Sequence, residues 1–380
     1  MIVGGRRYSH FLDAKVDVQV NALARAFEFR AATRGFDDVP FRPGQSVVIE
    51  VDGERVLTGW IERLELEASN DGFVYRVSGR DKMADLIDSN VDGMSGLGTT
   101  LAHVCAATLR YLGVEAKVVD RSGTSGRSFG GAAELAAPDA GETGFEFLRS
   151  VAARRQALLA SDGDGNLVVL RGEATPVEAR LVLRQDGVGN NLLRMRWTTD
   201  HSERFHAYVV RAQSNVAELG FLDIDTPAAE IASGGAEYRD RSIRPSRRRS
   251  VASEATYAPG DAASRARWES NLARARAVTY EVEVVGFRNA AGALWEVNTA
   301  PLVDDDYAGV HRRMMVSSVS FSLSDVGPRT TLALTRLDAY RAEAAIEDIE
   351  ARADDLAAAA EGSGSDDDFD WPGGAGLGFG

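Results

Sequence analysis

The sequence predicts a mainly β chain with α+β insertions, built around two related small antiparallel β-barrels. Three observations carry that reading: short runs alternate with period two at both ends, turn residues separate them, and helical spacing is confined to a few internal segments. The alternation is clearest in residues 56–81, VLTGWIERLELEASNDGFVYRVSGRD, which are echoed by residues 313–338, RMMVSSVSFSLSDVGPRTTLALTRLD, at a constant offset of 257 with no gap. In the first copy Leu64 and Leu66 lead into a turn at Asn70, Asp71 and Gly72, and Tyr75 and Val77 return. In the second, Phe321 and Leu323 meet a turn at Gly327 and Pro328, and Leu332 and Leu334 return. Two readings stay open: a duplicated unit, or two unrelated hairpins that alternate as all half-buried hairpins do. A duplicated barrel has a consequence, because three chains then offer six similar units around a threefold axis.

The elements follow in order. Residues 1–88 form the first barrel: Phe11, Val16, Val18 and Val20 with Phe27 and Phe29 make an opening strand pair. Pro43 and Gly44 turn into Val47–Val51, and Asp52 and Gly53 close a short hairpin. Residues 89–175 read as an inserted α/β domain. It has a helix near Thr99–Leu112, a strand at Val114–Val119, a second helix opened by Thr143 and Glu146 at capping-box spacing, and a hairpin turning at Asp162–Asn166. Residues 176–212 and 278–338 supply the second barrel. The stretch 213–277 interrupts it with an arginine-rich loop and a helix whose Trp268, Leu272 and Ala275 share one face. Residues 339–380 read as a C-terminal helix, striped by Ile346, Ile349, Ala353, Leu356 and Ala360, followed by a flexible acidic tail.

Composition narrows the function classes. The net charge is −14, of which residues 339–380 hold eleven acidic groups against two arginines, so a general nucleic-acid-binding surface is not expected. The amino terminus, MIVGGRRYSH, does not read as a secretory signal, and no run is long and apolar enough to span a membrane. The single Cys105 falls in the apolar series Leu101, Val104, Cys105, Thr108, Leu112 and reads as a buried small hydrophobe, so sulfur-based metal binding is not expected.

No catalytic motif stands out. His10, His103, His201, His206 and His311 lack metal-ligand spacing, and no nucleophile elbow, phosphate loop or dinucleotide fingerprint is found. Asp162, Asp164, Asn166 and Glu173 match four positions of a calcium loop, but Leu167 replaces its glycine, so a plain hairpin turn is the better reading. No cofactor, catalytic residue or metal ligand is therefore assigned. The run Arg239, Arg241, Arg244, Arg247, Arg248, Arg249 reads first as a solvated loop, with phosphate or an acidic sister subunit as its alternative targets. Asp366, Asp367, Asp368, Phe369, Asp370 and Trp371 form an acidic aromatic patch that is either a docking motif or a merely solvated terminus.

One stretch resembles a known family. Arg244 and Pro245, Glu254, Arg265 to Glu269 with Trp268, Arg274 to Arg276, Val282 to Arg288, and Gly292, Leu294, Trp295 and Asn298 are similar to the baseplate hub protein of Mu-like contractile-tailed phages. Pro43 and Gly44, LTGWI at 57–61, and Gly79, Arg80 and Asp85–Asp88 agree with it. Phe287 departs, the family having tryptophan there, and the acidic tail has no match. The resemblance extends to the hub part of type VI secretion spike proteins. It implies a structural protein without catalysis: a homotrimeric pseudo-sixfold ring adapting the tail tube, or a distal tail protein, to a central spike. Baseplate wedge proteins and the tape-measure protein are further expected partners, and DNA passes through without specific binding. The expected location is the virion tail baseplate, assembled in the host cytoplasm. Trp268, Gly286 and Trp295 are the expected structural anchors. The rivals are a tail-associated enzyme that degrades cell wall or polysaccharide, and a receptor-binding module.

Overall fold

In the computed structural model the described residues are 1–337, apart from 21, 36–37, 71, 96–97, 130–136, 154, 156, 213–235 and 254–260. The C-terminal helix and the patch Asp366–Trp371 lie outside them. The first strands are β1 (Ile2–Val3), β2 (Arg6–Arg7), β3 (Asp13–Gln19), β4 (Ala26–Thr33), β5 (Ser46–Val51), β6 (Glu54–Ser69) and β7 (Gly72–Asp81). Next come α1 (Ala84–Asp88), α2 (Leu101–Tyr111), β8 (Val118–Asp120), α3 (Gly144–Ala153), β9 (Leu158–Ser161) and β10 (Leu167–Leu170). The remainder is β11 (Thr175–Leu183), β12 (Leu192–Thr199), β13 (Ala207–Ala212), β14 (Ala236–Arg239), β15 (Arg248–Ser253), α4 (Asp261–Ala277), β16 (Val278–Val285), β17 (Thr299–Asp305), β18 (Val310–Arg313), β19 (Met315–Ser324) and β20 (Gly327–Thr335).

Eleven strands form one sheet in the order β12-β16-β20-β19-β3-β4-β7-β6-β5-β1-β2. The expected closure into two separate barrels is not found among the described residues. Instead β19 pairs antiparallel with β3, from Ser318↔Gln19 to Leu323↔Ala14, so the second unit runs directly into the first. Pairing with a sister unit removes an exposed edge as effectively as closure does. One core underlies both units, joining Val16, Phe27, Ile61 and Val77 to Tyr280, Val282, Phe321 and Leu332.

The sheet repeats itself. The four-strand order β3-β4-β7-β6 recurs as β12-β16-β20-β19, antiparallel throughout. In each hairpin one extra residue bulges the leading strand, Glu62 between Ile61 and Arg63, and Ser317 between Val316 and Ser318. Both turns close on a positive-φ glycine, Gly72 and Gly327. Bulges and glycines are both 255 positions apart, which corrects the offset of 257. Gly327 does not stand at the centre of the turn: Ser324 pairs with Gly327 as Ser69 pairs with Gly72, and Asp325 and Val326 make the bend.

Between the units, α2, α3 and the sheet β8-β10-β9 make an α/β layer with its own core around Leu101, Cys105, Leu148 and Leu167. The capping box is reciprocal: Glu146 N donates to Thr143 Oγ1 at 3.2 Å and Thr143 N to Glu146 Oε2 at 3.0 Å. Burial pushes the Cys105 thiol up to about 12. The Asp162 turn seats on β6, where Thr58 Oγ1 donates to the Gly163 carbonyl at 2.8 Å and Arg55 to Asp164 at 2.7 Å. A Cβ on Gly163 would stand 2.2 Å from the Arg55 carbonyl, so only glycine permits this approach. Two further small sheets, β11-β17-β18 and β14-β13-β15, complete the described fold.

Candidate assembly surface

The repeat leaves two open strand edges. At one end of the sheet β12 pairs, among the described residues, with β16 alone, from Arg194↔Glu283 to Thr199↔Val278. At the other, β6 is forked. Its residues 54–60 are covered by β5, and the Ile61 amide reaches the Gln45 carbonyl at 2.9 Å. Residues 63–68, past the Glu62 bulge, pair with β7 on one side and with no described strand on the other.

Edge strand β12 is held in place by its aromatic. Trp197 is half-buried, its ring 5.9 Å from that of Tyr280, and its Nε1 donates to Thr199 Oγ1 at 3.0 Å. Tyr280 is fully buried and donates to Asp305 Oδ2 at 2.5 Å; burial and that hydrogen bond both push its phenol upward. On the forked edge, Leu66 is 38% exposed, a large apolar side chain on a stretch with no outer neighbour among the described residues.

The base of the first hairpin is tightly crossed. A Cβ on Gly59 would meet the Arg80 carbonyl at 2.0 Å, and one on Gly79 the Trp60 carbonyl at 2.0 Å. This close crossing explains both glycines of the LTGWI and GR motifs. Arg80 donates to Glu62 Oε2 at 2.9 Å and to Asp88 Oδ1 at 3.2 Å, tying the bulge to α1. Beside it Asp81 is fully buried and accepts from the Arg25 and Met83 amides, each at 3.0 Å, and from the Ser161 hydroxyl. Burial raises its carboxyl to about 6, against the opposing pull of Ser161 and Arg25. The Arg25 guanidinium reaches the Val56 and Ser161 carbonyls, each at 2.7 Å, locking the hairpin base to the α/β layer.

The other residues singled out by sequence fall as follows. Trp268 is buried with Val20, Leu158, Val168, Leu170 and Met315. Trp295 is buried in the core shared by the two units, its Nε1 without a hydrogen-bond partner among the described residues. Gly286 has φ +78°, and a Cβ there would meet nothing within 4 Å, so backbone conformation rather than close approach requires glycine. The Arg239–Arg249 run folds around Asp240, which is fully buried and bonded by Arg204 at 2.7 Å and Arg274 at 3.0 Å. Although burial opposes ionisation, Arg274, Ser242 and Arg204 hold that carboxyl well below the usual range. Glu237 pairs with Arg239 and Arg248, and Arg247 lies over the Phe205 ring at 5.0 Å. Asp162 accepts from the amides of Asp164 and Asn166, so its carboxylate organises the turn.

Asp304, Asp306 and His311 have ligand atoms within 4.8 Å of one another. His311 and Arg184 already occupy the two oxygens of Asp304, and Gln185 N donates to Asp306 at 2.9 Å, so the group is built as an ion-pair network. Sequence reading did not find β12, β17 or β18, nor the Arg25–Asp81 pair. For β12 the available signal was Met195 and Trp197 two apart.

Two family models match: Mu phage baseplate assembly protein GpP-like, N-terminal, over residues 1–81, and the fourth domain of Mu phage baseplate assembly protein GpP over residues 258–343. Both ends of the chain thus resemble the baseplate proteins of Mu-like phages. The two matches carry β1–β7 and α4–β20, so each hairpin of the repeat lies in its own family domain. The chain is 28% identical over 343 residues to the baseplate hub protein gp44 of Escherichia phage Mu, covering 88% of this chain and 87% of that one. It is also 27% identical to the 43 kDa tail protein of prophage MuSo2 from Shewanella oneidensis, with TM-score 0.73 over 89% of this chain and 97% of that chain. A type VI secretion component from Escherichia coli shares the fold, at 12% identity and TM-score 0.53 over 90% of this chain and 78% of that one.

Proposed function

We propose that the chain is the hub of a contractile-tail baseplate, acting as a homotrimeric ring that adapts a sixfold tail tube to a threefold central spike. The observation that carries this reading is the four-strand unit present twice in one sheet with an open edge at each end. Three chains then present six like units to a sixfold neighbour while keeping threefold symmetry for a spike. The relatives, a phage Mu hub and a prophage tail protein, are structural components, which supports mechanism by geometry rather than catalysis. Residues 89–175 and 213–277 are, in this reading, two insertions in the repeated framework, with Trp268, Gly286 and Trp295 as its anchors. Wedge proteins and the tape-measure protein remain partners of the assembled ring, which forms in the host cytoplasm. Outside residues 339–380 the chain carries a small net negative charge, which suits a bore that must let DNA slide.

Light scattering coupled to size-exclusion chromatography tests the proposal, with a mass of three chains expected. A stable monomer that hydrolyses peptidoglycan or polysaccharide would overturn it in favour of the tail-associated enzyme.

A further inference from the structure

We propose that neighbouring copies join by adding β12 of one chain to the uncovered stretch of β6 in the next, antiparallel and in one defined register, with Leu66 opposite Trp197. The proposal rests on the ring reading above and specifies its joint.

The register comes from the junction already present inside the chain. There β19 meets β3 with Phe321 opposite Val16. The 255-residue offset makes Leu66 the counterpart of Phe321. Val16 lies opposite Phe27 and Phe27 opposite Gly79; Trp197 lies opposite Tyr280 and Tyr280 opposite Leu334. Gly79 and Leu334 share the same offset, so Trp197 is the counterpart of Val16. The internal joint uses residues 318–323 of β19, and their counterparts are residues 63–68 of β6, the stretch that β5 leaves uncovered.

The side chains agree with this register, although nothing in its derivation used them. Arg63 falls opposite Asp200 and Glu67 opposite Arg196, two opposite-charge pairs. Leu66 meets Trp197, which covers the exposed leucine with a half-buried aromatic on the core face of the sheet. Glu65 meets Thr198 without conflict. A slip of one residue turns Leu66 and Trp197 to opposite faces and sets Glu67 opposite Met195 or Trp197. The occupant of both edges is therefore a second copy of this chain.

The pair Glu65→Cys with Thr198→Cys in one full-length chain tests it. Within a protomer these positions sit seven strands apart, roughly 33 Å, far beyond disulfide reach, and the native Cys105 is buried. Mild oxidation should give a covalent trimer on a non-reducing gel. The control pair Glu65→Cys with Arg194→Cys, displaced four residues or about 13 Å along the strand, should not. Arg63→Glu should weaken trimer formation roughly tenfold or more, and adding Asp200→Arg should restore it; far-UV circular dichroism identifies any variant that fails to fold. If the wild-type chain is trimeric yet the Glu65/Thr198 pair does not link, or the control links equally, this joint is overturned while the ring stands. A wild-type chain that is monomeric at all concentrations overturns both.

Discussion

The two four-strand units share order, bulge and turn, yet their bases are built from opposite materials. In the first, Gly59 and Gly79 let β6 and β7 cross at backbone contact, and the strand ends on buried Asp81. At the 255-residue offset the second unit has Met314, Leu334 and Arg336 in those places, with Met314 and Leu334 fully buried. The first unit has the α/β layer seated on its hairpin base through Arg25, Thr58 and Gly163, so its backbone must come close. The second fills the same space with side chains. A strand plan is thus retained while the means of closing its base changes with what is stacked on it.

The largest expected effect breaks the core common to both units. Trp295→Ala should destabilise the chain by about 3 to 5 kcal/mol, read as a shift in denaturant midpoint with loss of assembly; unchanged melting and normal trimers would remove Trp295 from the anchors. Next, Gly79→Ala should cost several kcal/mol, about 2 to 3, because the added carbon would stand 2.0 Å from a carbonyl that cannot move without shifting β6. The contrasting Leu334→Ala should be costly through a cavity instead. Equal tolerance at both positions in a thermal-shift measurement would erase the contrast.

Asp81 sharpens the comparison through pH. Its carboxyl is raised to about 6 in the fold from an unfolded value of 3.8, so the folded state binds the extra proton between those values. Stability should therefore fall as pH rises from about 4 to about 6, by on the order of 2 kcal/mol, and that slope should vanish in Asp81→Asn when unfolding is followed across pH. Asp240 carries the opposite sign: its depressed carboxyl contributes stability above pH 3.8 that is lost as the solution is acidified further. The smallest effects belong to the turns. Gly72→Ala and Gly327→Ala should each cost about 1 kcal/mol, and a large inequality between them would mean that the turns are not equivalent.

Both hairpins were legible because alternation and turn glycines are local signals, and so were α2, α3 with its capping box, and the Asp162 turn. The offset was misread because Gly-Pro looks like the centre of a turn, whereas Gly327 closes one already made by Asp325 and Val326. Strand β12 escaped notice because its alternation is confined to Arg194–Thr198, a short half-exposed run on an open edge preceded by the adjacent Leu192 and Leu193. The fusion of two units into one sheet was invisible for another reason. It rests on β19 meeting β3 across some three hundred residues, and no local pattern encodes a non-local pairing. The partners of Arg80 were equally hidden: the GR and DLID motifs were recognised, but only the fold brings Glu62 between them.

The fork in β6 has a consequence for the newly made chain. Because β5 shields residues 54–60, the rim that β6 leaves bare in a solitary molecule is only six residues, RLELEA, half of them charged. A rim that short and that charged is a poor template for indiscriminate stacking, so this edge disfavours precipitation of the free polypeptide before a matching neighbour arrives.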